Sequence, residues 1–106
     1  MKKYLPLKDN GQRENYLKVE LYYSKGGMNY FTYRNEPRGY YISATPVERN
    51  GIMEGFTAFT GIKKLVREVS RKSEKAEREA EATFETEAKE LIEYVLKKQN
   101  LELAEA

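Results

Sequence analysis

The sequence predicts an α+β fold in which a four-stranded antiparallel β-meander is followed by a long C-terminal α-helix. Eight of the nine tyrosines lie before residue 42, in segments where apolar and polar residues alternate. Such alternation is typical of half-buried strands. After Gly61 there is neither Gly nor Pro, and Glu, Lys, Arg and Ala dominate. That composition favours a helix.

The length of the chain, 106 residues, corresponds to one domain with a small core. Within residues 1–106 we expect an irregular N-terminal arm over 1–15, a sheet over 16–59 and a helix over 60–99. The turn formers Pro6 and Gly11 indicate the irregular arm. A short edge strand through Leu5 and Leu7 is the alternative.

Four segments are predicted to form the sheet: 16–24, 28–34, 40–45 and 52–59. Turn signals separate them, above all the glycine pair Gly26-Gly27 and the Asn50-Gly51 dipeptide. Short turns between consecutive strands favour an antiparallel meander. One face of the predicted sheet is aliphatic and should pack against the helix; its residues are Leu17, Val19, Leu21 and Ile42.

The predicted helix begins after Thr60, a plausible N-cap, and is marked by apolar residues mostly three or four positions apart from Ile62 to Val95. A continuous helix to Gln99 would measure roughly 55 Å. That length exceeds the surface of a domain whose radius of gyration is about 13 Å. We therefore expect either a break near 70–79 or a helix whose far half pairs with a second copy. The second alternative predicts a homodimer through the C-terminal helix, with Phe84, Leu91 and Val95 at the contact.

Several functional classes find no support in the composition. The chain has no cysteine and no histidine, which excludes disulfides and thiolate or imidazole metal sites and removes the usual general base. The sequence therefore predicts a protein that is not an enzyme and uses no cofactor. No apolar run approaches the roughly 20 residues of a membrane span. No signal peptide is recognisable, so we expect a cytoplasmic location without a membrane partner.

Charge is distributed unevenly along the predicted helix. Residues 63–78 contain seven basic and three acidic residues, whereas residues 79–106 contain three basic and eight acidic ones. On a helix, Lys63, Arg67 and Arg71 would form one cationic row able to contact phosphates. The alternative is an ordinary solvated helix surface.

The second sheet face is predicted to be aromatic. Strand alternation places rings on the face away from the aliphatic one, beside Lys18. Aromatic rings next to cations suit single-stranded nucleic acid, because rings stack on bases and cations hold phosphates. The alternative is that tyrosine simply fits a pleated surface. The predicted nucleic-acid contacts are Tyr16, Lys18, Tyr22, Phe31, Tyr33, Tyr41, Lys63, Arg67 and Arg71.

In layout, the chain resembles the PC4/Whirly-like single-stranded-DNA-binding proteins. The resemblance covers Tyr16 to about Val69 and depends on the order of elements and on strand residues such as Lys18, Tyr22 and Phe31. It implies a curved sheet that contacts the nucleic acid and a C-terminal helix that helps to build a dimer. The acidic segment from Glu79 departs from that layout.

Two hypotheses about function follow from the sequence. The first is a small nucleic-acid-binding protein, specific for single strands and only weakly for base sequence. The second is a protein-interaction module or inhibitor that docks on a larger protein and belongs to a mobile genetic element.

Overall fold

The computed structural model describes residues 1–30, 33–55 and 61–104. In chain order its elements are β1 (Lys2–Pro6), β2 (Tyr16–Ser24), β3 (Gly27–Asn29), β4 (Arg34–Glu36), β5 (Gly39–Val47), β6 (Arg49–Asn50), β7 (Met53–Glu54), β8 (Ile62–Glu68) and α1 (Glu74–Lys98). Strands β1, β2, β5 and β8 form a four-stranded antiparallel sheet in that order. The predicted α+β fold, with a four-stranded antiparallel sheet and a long C-terminal helix, is confirmed.

The aliphatic face of the sheet packs on α1, as predicted. Leu17, Val19 and Ile42 are fully buried, and Leu21 is 7% exposed. These side chains share one core with Phe84 and the buried alanines of α1. Alternation therefore identifies the correct face of β2 and β5, because a register error of one residue would have exposed the whole set.

Helix α1 is shorter than predicted. Its N-cap is Ser73, whereas the predicted N-cap was Thr60. The Ser73 hydroxyl accepts a hydrogen bond from the Ala76 amide at 3.2 Å, which is the usual N-cap arrangement. Thr60 lies outside the described residues. The helix has 25 residues, or about 37 Å, and fits along a molecule of 43 × 31 × 27 Å. The prediction of a helix is wrong for residues 61–73.

The segment that was predicted to open the helix is strand β8. Its pairing with β5 is irregular between Tyr40 and Tyr41, which oppose Arg67 and Leu65. Val66 is the extra residue and contacts the core. This β-bulge interrupts the alternation of the strand, so its apolar residues acquire the spacing of a helix.

A dimer through the helix was predicted from the length of the helix and its apolar residues, and this reasoning is wrong. Phe84 is 2% exposed, Leu91 6% and Val95 0%, all within the chain's own core. A shorter helix covered by its own sheet leaves no apolar stripe that requires a partner. The homodimer itself stays a prediction.

The first fifteen residues are not an irregular arm. Strand β1 pairs with β2 from Lys2↔Glu20 to Pro6↔Tyr16, and Leu5 packs against the core. Leu7 continues the edge through an isolated bridge to Leu103. The alternative of an edge strand through Leu5 and Leu7 is therefore the better description.

Two of the predicted sheet strands are absent from the main sheet. Both edges of β2 are occupied, by β1 and by β5, so the described residues of the segment 28–34 cannot join it. Met28, Asn29 and Arg34 instead belong to a separate hairpin, β3–β4. The segment 52–59 contributes Met53–Glu54 to the hairpin β6–β7, as the Asn50-Gly51 signal indicated. Residues 56–59 lie outside the described part of the chain.

Candidate nucleic-acid interface

Five of the predicted contact residues lie together on the face of the sheet opposite α1, which we call the open face. Lys18 and the two rings Tyr16 and Tyr22 come from β2, and they are joined by Tyr41 from β5 and Lys63 from β8. The Tyr22 and Tyr41 rings are stacked, with centroids 5.8 Å apart and planes at 20°. The Lys63 ammonium lies 5.2 Å from the centre of the Tyr41 ring. The pattern of the sequence thus brings cations and aromatic rings to one surface.

Sequence reasoning missed one ring of this face, Tyr4 of β1. Its ring meets Tyr16 edge-on at 6.3 Å, and the Arg49 guanidinium lies 3.9 Å from its centre. The alternation of Lys3, Tyr4 and Leu5 was a signal for this strand, but the turn residues that follow obscured it. Arg49 directly precedes the Asn50-Gly51 turn signal, and its position in the sequence does not place it on this face.

The rings of the open face are less available than predicted. Tyr41 is 4% exposed, and its hydroxyl donates to the Pro37 carbonyl. Tyr22 is half-buried. Burial, followed by the negative charge of Glu36, raises the pKa of both Tyr22 and Tyr41. These two rings mainly pack on each other, as cross-strand tyrosine pairs do.

Lys18 is paired with a glutamate from the hairpin β6–β7. Its ammonium lies 3.1 Å from Glu54 Oε1, and the Tyr4 hydroxyl donates to Glu54 Oε2 at 2.8 Å. These two bonds hold the pKa of the Glu54 carboxyl below its ordinary value, with the Tyr4 hydroxyl the larger cause. Burial opposes the charge on Lys18, but the hydrogen bond to Glu54 and the negative charges of Glu54 and Glu20 together outweigh it and raise the pKa of Lys18.

Lys63 is paired in the same way with a glutamate from the hairpin β3–β4. Its ammonium contacts Glu36 Oε2, while Asn29 Nδ2 donates to Glu36 Oε1 at 2.6 Å. The bonds from Asn29 and then Lys63 lower the pKa of the Glu36 carboxyl. Lys18 and Lys63 therefore each already have a carboxylate where a phosphate would bind.

The predicted cationic row of Lys63, Arg67 and Arg71 does not exist. Lys63 faces the open side, whereas the bulge turns Arg67 toward the helix, where its guanidinium pairs with Glu79. Arg71 lies in the loop between β8 and α1 and is exposed. Because these residues lie on an irregular strand and in the loop after it, a spacing of four positions does not bring them onto one face.

Tyr33 is not part of the sheet surface. Tyr33 lies in the turn of the β3–β4 hairpin with a positive φ of 56° and is 82% exposed. Tyr30, in the same turn, is 78% exposed. Phe31 lies outside the described residues. The hairpin thus presents two accessible rings that are separate from the open face.

A second group of cations lies at one end of the sheet, in the loops that follow β2 and β8. Arg38 joins these loops: its Nε donates to the Lys25 carbonyl at 3.3 Å and its Nη1 to the Ser70 carbonyl at 3.0 Å. The Lys72 ammonium lies 5.6 Å from the centre of the Tyr23 ring. We call this surface the basic end; its residues are Lys25, Arg38, Arg71 and Lys72.

The basic end differs in its ion pairing from several lysines of the sheet. Across residues 1–30, 33–55 and 61–104, no carboxylate lies within ion-pair distance of these four cations. In contrast, one lysine of each edge strand is paired with the helix. Lys3 lies 3.2 Å from Glu85 and Lys64 lies 2.6 Å from Glu87. Their positive charge is already neutralised, whereas that of the basic end is not.

Comparisons of the chain with known protein families, with curated proteins and with solved structures found no match. In the described part of the chain, no group of acidic side chains is arranged to hold a metal ion. No helix there is both long enough and apolar enough to cross a membrane.

Proposed function

We propose that this protein binds single-stranded nucleic acid, with little preference for base sequence, through the basic end and the exposed rings of the β3–β4 hairpin. The observation that carries the proposal is the division of the cations. Lys18 and Lys63 on the open face are matched with glutamates, as are Lys3 and Lys64 beside the helix, whereas no glutamate of the described residues pairs with the basic end. A polyanion is the ligand that benefits most from several unmatched cations in adjacent loops.

The hairpin supplies the other element of single-strand binding. Tyr30 and Tyr33 project rings that are about four-fifths exposed, and they lie one short strand, about 10 Å, from the base of the hairpin. That base adjoins the ends of β2 and β5, where Lys25 and Arg38 lie. Stacking on such rings tolerates any base, so the binding should depend little on sequence.

The experiment is fluorescence anisotropy with labelled single- and double-stranded oligonucleotides at several salt concentrations. The Arg71→Gln/Lys72→Gln variant should bind the single strand more weakly. The slope of log affinity against log salt should decrease by about 1.4, because each phosphate contact on a single strand contributes about 0.7. The matched control is Lys89→Gln/Lys97→Gln, which removes the same charge from the exposed surface of α1. An equal loss in both variants would reject the basic end as the site.

The contribution of stacking is tested separately. Tyr33→Ala should weaken binding by about 1–3 kcal/mol without lowering stability, since the ring is exposed. Tyr94→Ala is the control, because Tyr94 is 53% exposed on α1. If neither substitution changes the affinity, the rings of the hairpin do not stack on bases.

A second candidate function is docking on a protein, and the hairpin β6–β7 favours it. Two neighbouring large apolar side chains of this hairpin lie in solvent. Ile52 in the turn is 94% exposed, and Met53 at the start of β7 is 71% exposed. Exposed apolar groups of this kind often mark binding surfaces. A partner co-purified from the native host by the wild-type protein, but not by Ile52→Ser/Met53→Ser, would support this reading. Binding that persists at high salt would separate it from nucleic-acid binding.

A further inference from the structure

The open face combines the side chains of a nucleic-acid surface with two carboxylates that cover two of its cations. Two hairpins at the ends of this face supply them: β3–β4, described over residues 27–30 and 33–36, and β6–β7, residues 49–54. We call them the flanking hairpins. Glu36 contacts Lys63, and Glu54 lies 3.1 Å from Lys18. Lys18 and Lys63 come from different strands of the sheet, so the two contacts cover separate parts of one surface.

Each glutamate is held by more than its lysine. Asn29 Nδ2 donates to Glu36 Oε1 at 2.6 Å, and the Tyr4 hydroxyl donates to Glu54 Oε2 at 2.8 Å. In both cases one carboxylate oxygen accepts from a cation and the other from a neutral donor. A phosphate offers the same arrangement of adjacent acceptor oxygens, so each carboxylate occupies a place in which a phosphate could be bound.

The flanking hairpins have short strands. The strands of the first are three residues long and those of the second two. The second hairpin is anchored at its base, where the Arg49 amide donates to Asn15 Oδ1 at 2.7 Å. Its outer part is held over the open face by Glu54. Exposed ion pairs of this type are weak and become weaker with salt, so a ligand carrying several phosphates can compete with them.

We propose that Glu36 and Glu54 are phosphate substitutes that close a second nucleic-acid contact, formed by Lys18, Lys63 and the Tyr4 and Tyr16 rings of the open face. A strand bound at the basic end displaces the two carboxylates and extends onto the sheet. The inference rests on the proposed binding of single-stranded nucleic acid and adds an autoinhibited subsite to it. The flanking hairpins then limit binding to ligands long enough to reach from the end of the sheet to its face.

The test compares variants by anisotropy with a labelled oligothymidylate of about 15 nucleotides, within the usual range of site sizes. Glu36→Gln/Glu54→Gln should bind more tightly than the wild-type protein. Its salt slope should be steeper by about 1.4, as expected for two additional phosphate contacts. The matched control is Glu20→Gln/Glu81→Gln, which raises the net charge equally and includes Glu20, a residue of β2 on the same face of the sheet.

Adding Lys18→Gln/Lys63→Gln to the Glu36→Gln/Glu54→Gln protein should return the salt slope to the wild-type value. Urea unfolding of each variant verifies that it is folded. The inference is overturned if Glu36→Gln/Glu54→Gln and the control gain affinity equally, even where the basic-end variant confirms the proposed function. If the wild-type protein fails to bind but Glu36→Gln/Glu54→Gln binds, the open face is retained as a site and the basic end is rejected. Binding by neither protein rejects both proposals.

Discussion

Substitution of Gly39 by alanine offers a direct test of the strand β8. Gly39 opens β5 and is paired with Glu68 of β8. A Cβ on Gly39 would overlap the carbonyl oxygen of Arg67 and lie 2.9 Å from Leu65 Cδ1 and 3.1 Å from the Arg67 carbonyl carbon. Two of these three atoms belong to the backbone of β8 and cannot rotate away. The bulge at Leu65–Val66 is therefore compatible only with glycine at this point of β5.

The sign of the effect distinguishes the structure from the helix predicted over the same residues. Replacing glycine by alanine where nothing opposes the new methyl group stabilises a protein by about 0.4–1 kcal/mol, because the unfolded chain loses freedom. Overpacking against an immovable backbone costs about 1–3 kcal/mol. We expect the second term to exceed the first, so Gly39→Ala should be less stable than the wild-type protein by roughly 1–2 kcal/mol.

Urea unfolding followed by circular dichroism measures this difference. Gly55→Ala is the matched control, because a Cβ there would meet no atom of the described residues closer than 3.5 Å and its φ is not positive. The control should be neutral or slightly stabilised. If Gly39→Ala proves as stable as Gly55→Ala, the close approach of β8 to β5 is incorrect, and with it the separation of Lys63 from Arg67.

Two further predictions concern the core and the effect of pH. Phe84→Ala should destabilise the protein by about 3–5 kcal/mol because the ring is 2% exposed, and sedimentation should show an unchanged oligomeric state, since the ring lies in the chain's own core. Acid should destabilise the flanking hairpins. The bonds to Glu36 and Glu54 lower both pKa values below the ordinary 4.5, so their contribution to stability is complete above about pH 4.5 and is lost as the pH falls through the lowered values. Glu36→Gln/Glu54→Gln should show a smaller loss of stability in acid, and an identical loss would contradict this origin.

The fold was predictable where the sequence repeats a regular pattern. Leu17, Val19 and Leu21 alternate without interruption, and their burial follows from the geometry of a strand that is covered on one side. The same argument fails at β8, where Val66 is inserted at the bulge. Ile62, Leu65 and Val66 then have the spacing of a helix although they belong to a strand. A pattern of seven residues is too short to separate the two.

The separate hairpin β3–β4 could not be predicted for a different reason. Its residues have strand character, and the glycines before it indicate a turn. Whether such a hairpin joins the sheet depends on which edges of β2 are free, and β1 occupies one of them. The sequence indicated this pairing only as an alternative, because the turn formers Pro6 and Gly11 favoured an irregular arm. Without β1 in the predicted sheet, one edge of β2 was free, and the segment 28–34 was assigned to the sheet.

The candidate site was predictable in its components and not in its electrostatics. Alternation correctly placed Tyr16, Lys18 and Tyr22 on one face. It gave no indication that Lys18 would meet Glu54, which is 36 positions away, or that Lys63 would meet Glu36, 27 positions away. Ion pairs between distant segments depend on where the hairpins lie, and no local property of the sequence encodes them.

The uneven charge of the C-terminal half has a structural explanation that also identifies the accessible cations. The acidic stretch of α1 packs over two basic edge strands, and its glutamates neutralise Lys3 on one side and Lys64 on the other. The basic stretch before the helix continues past β8 into a loop that no glutamate of α1 reaches in the described structure. Arg71 and Lys72 of this loop are therefore among the cations that no glutamate of the described residues neutralises. A charge map drawn along the sequence would have placed the proposed anion site on the helix, whereas pairing in three dimensions favours the end of the sheet.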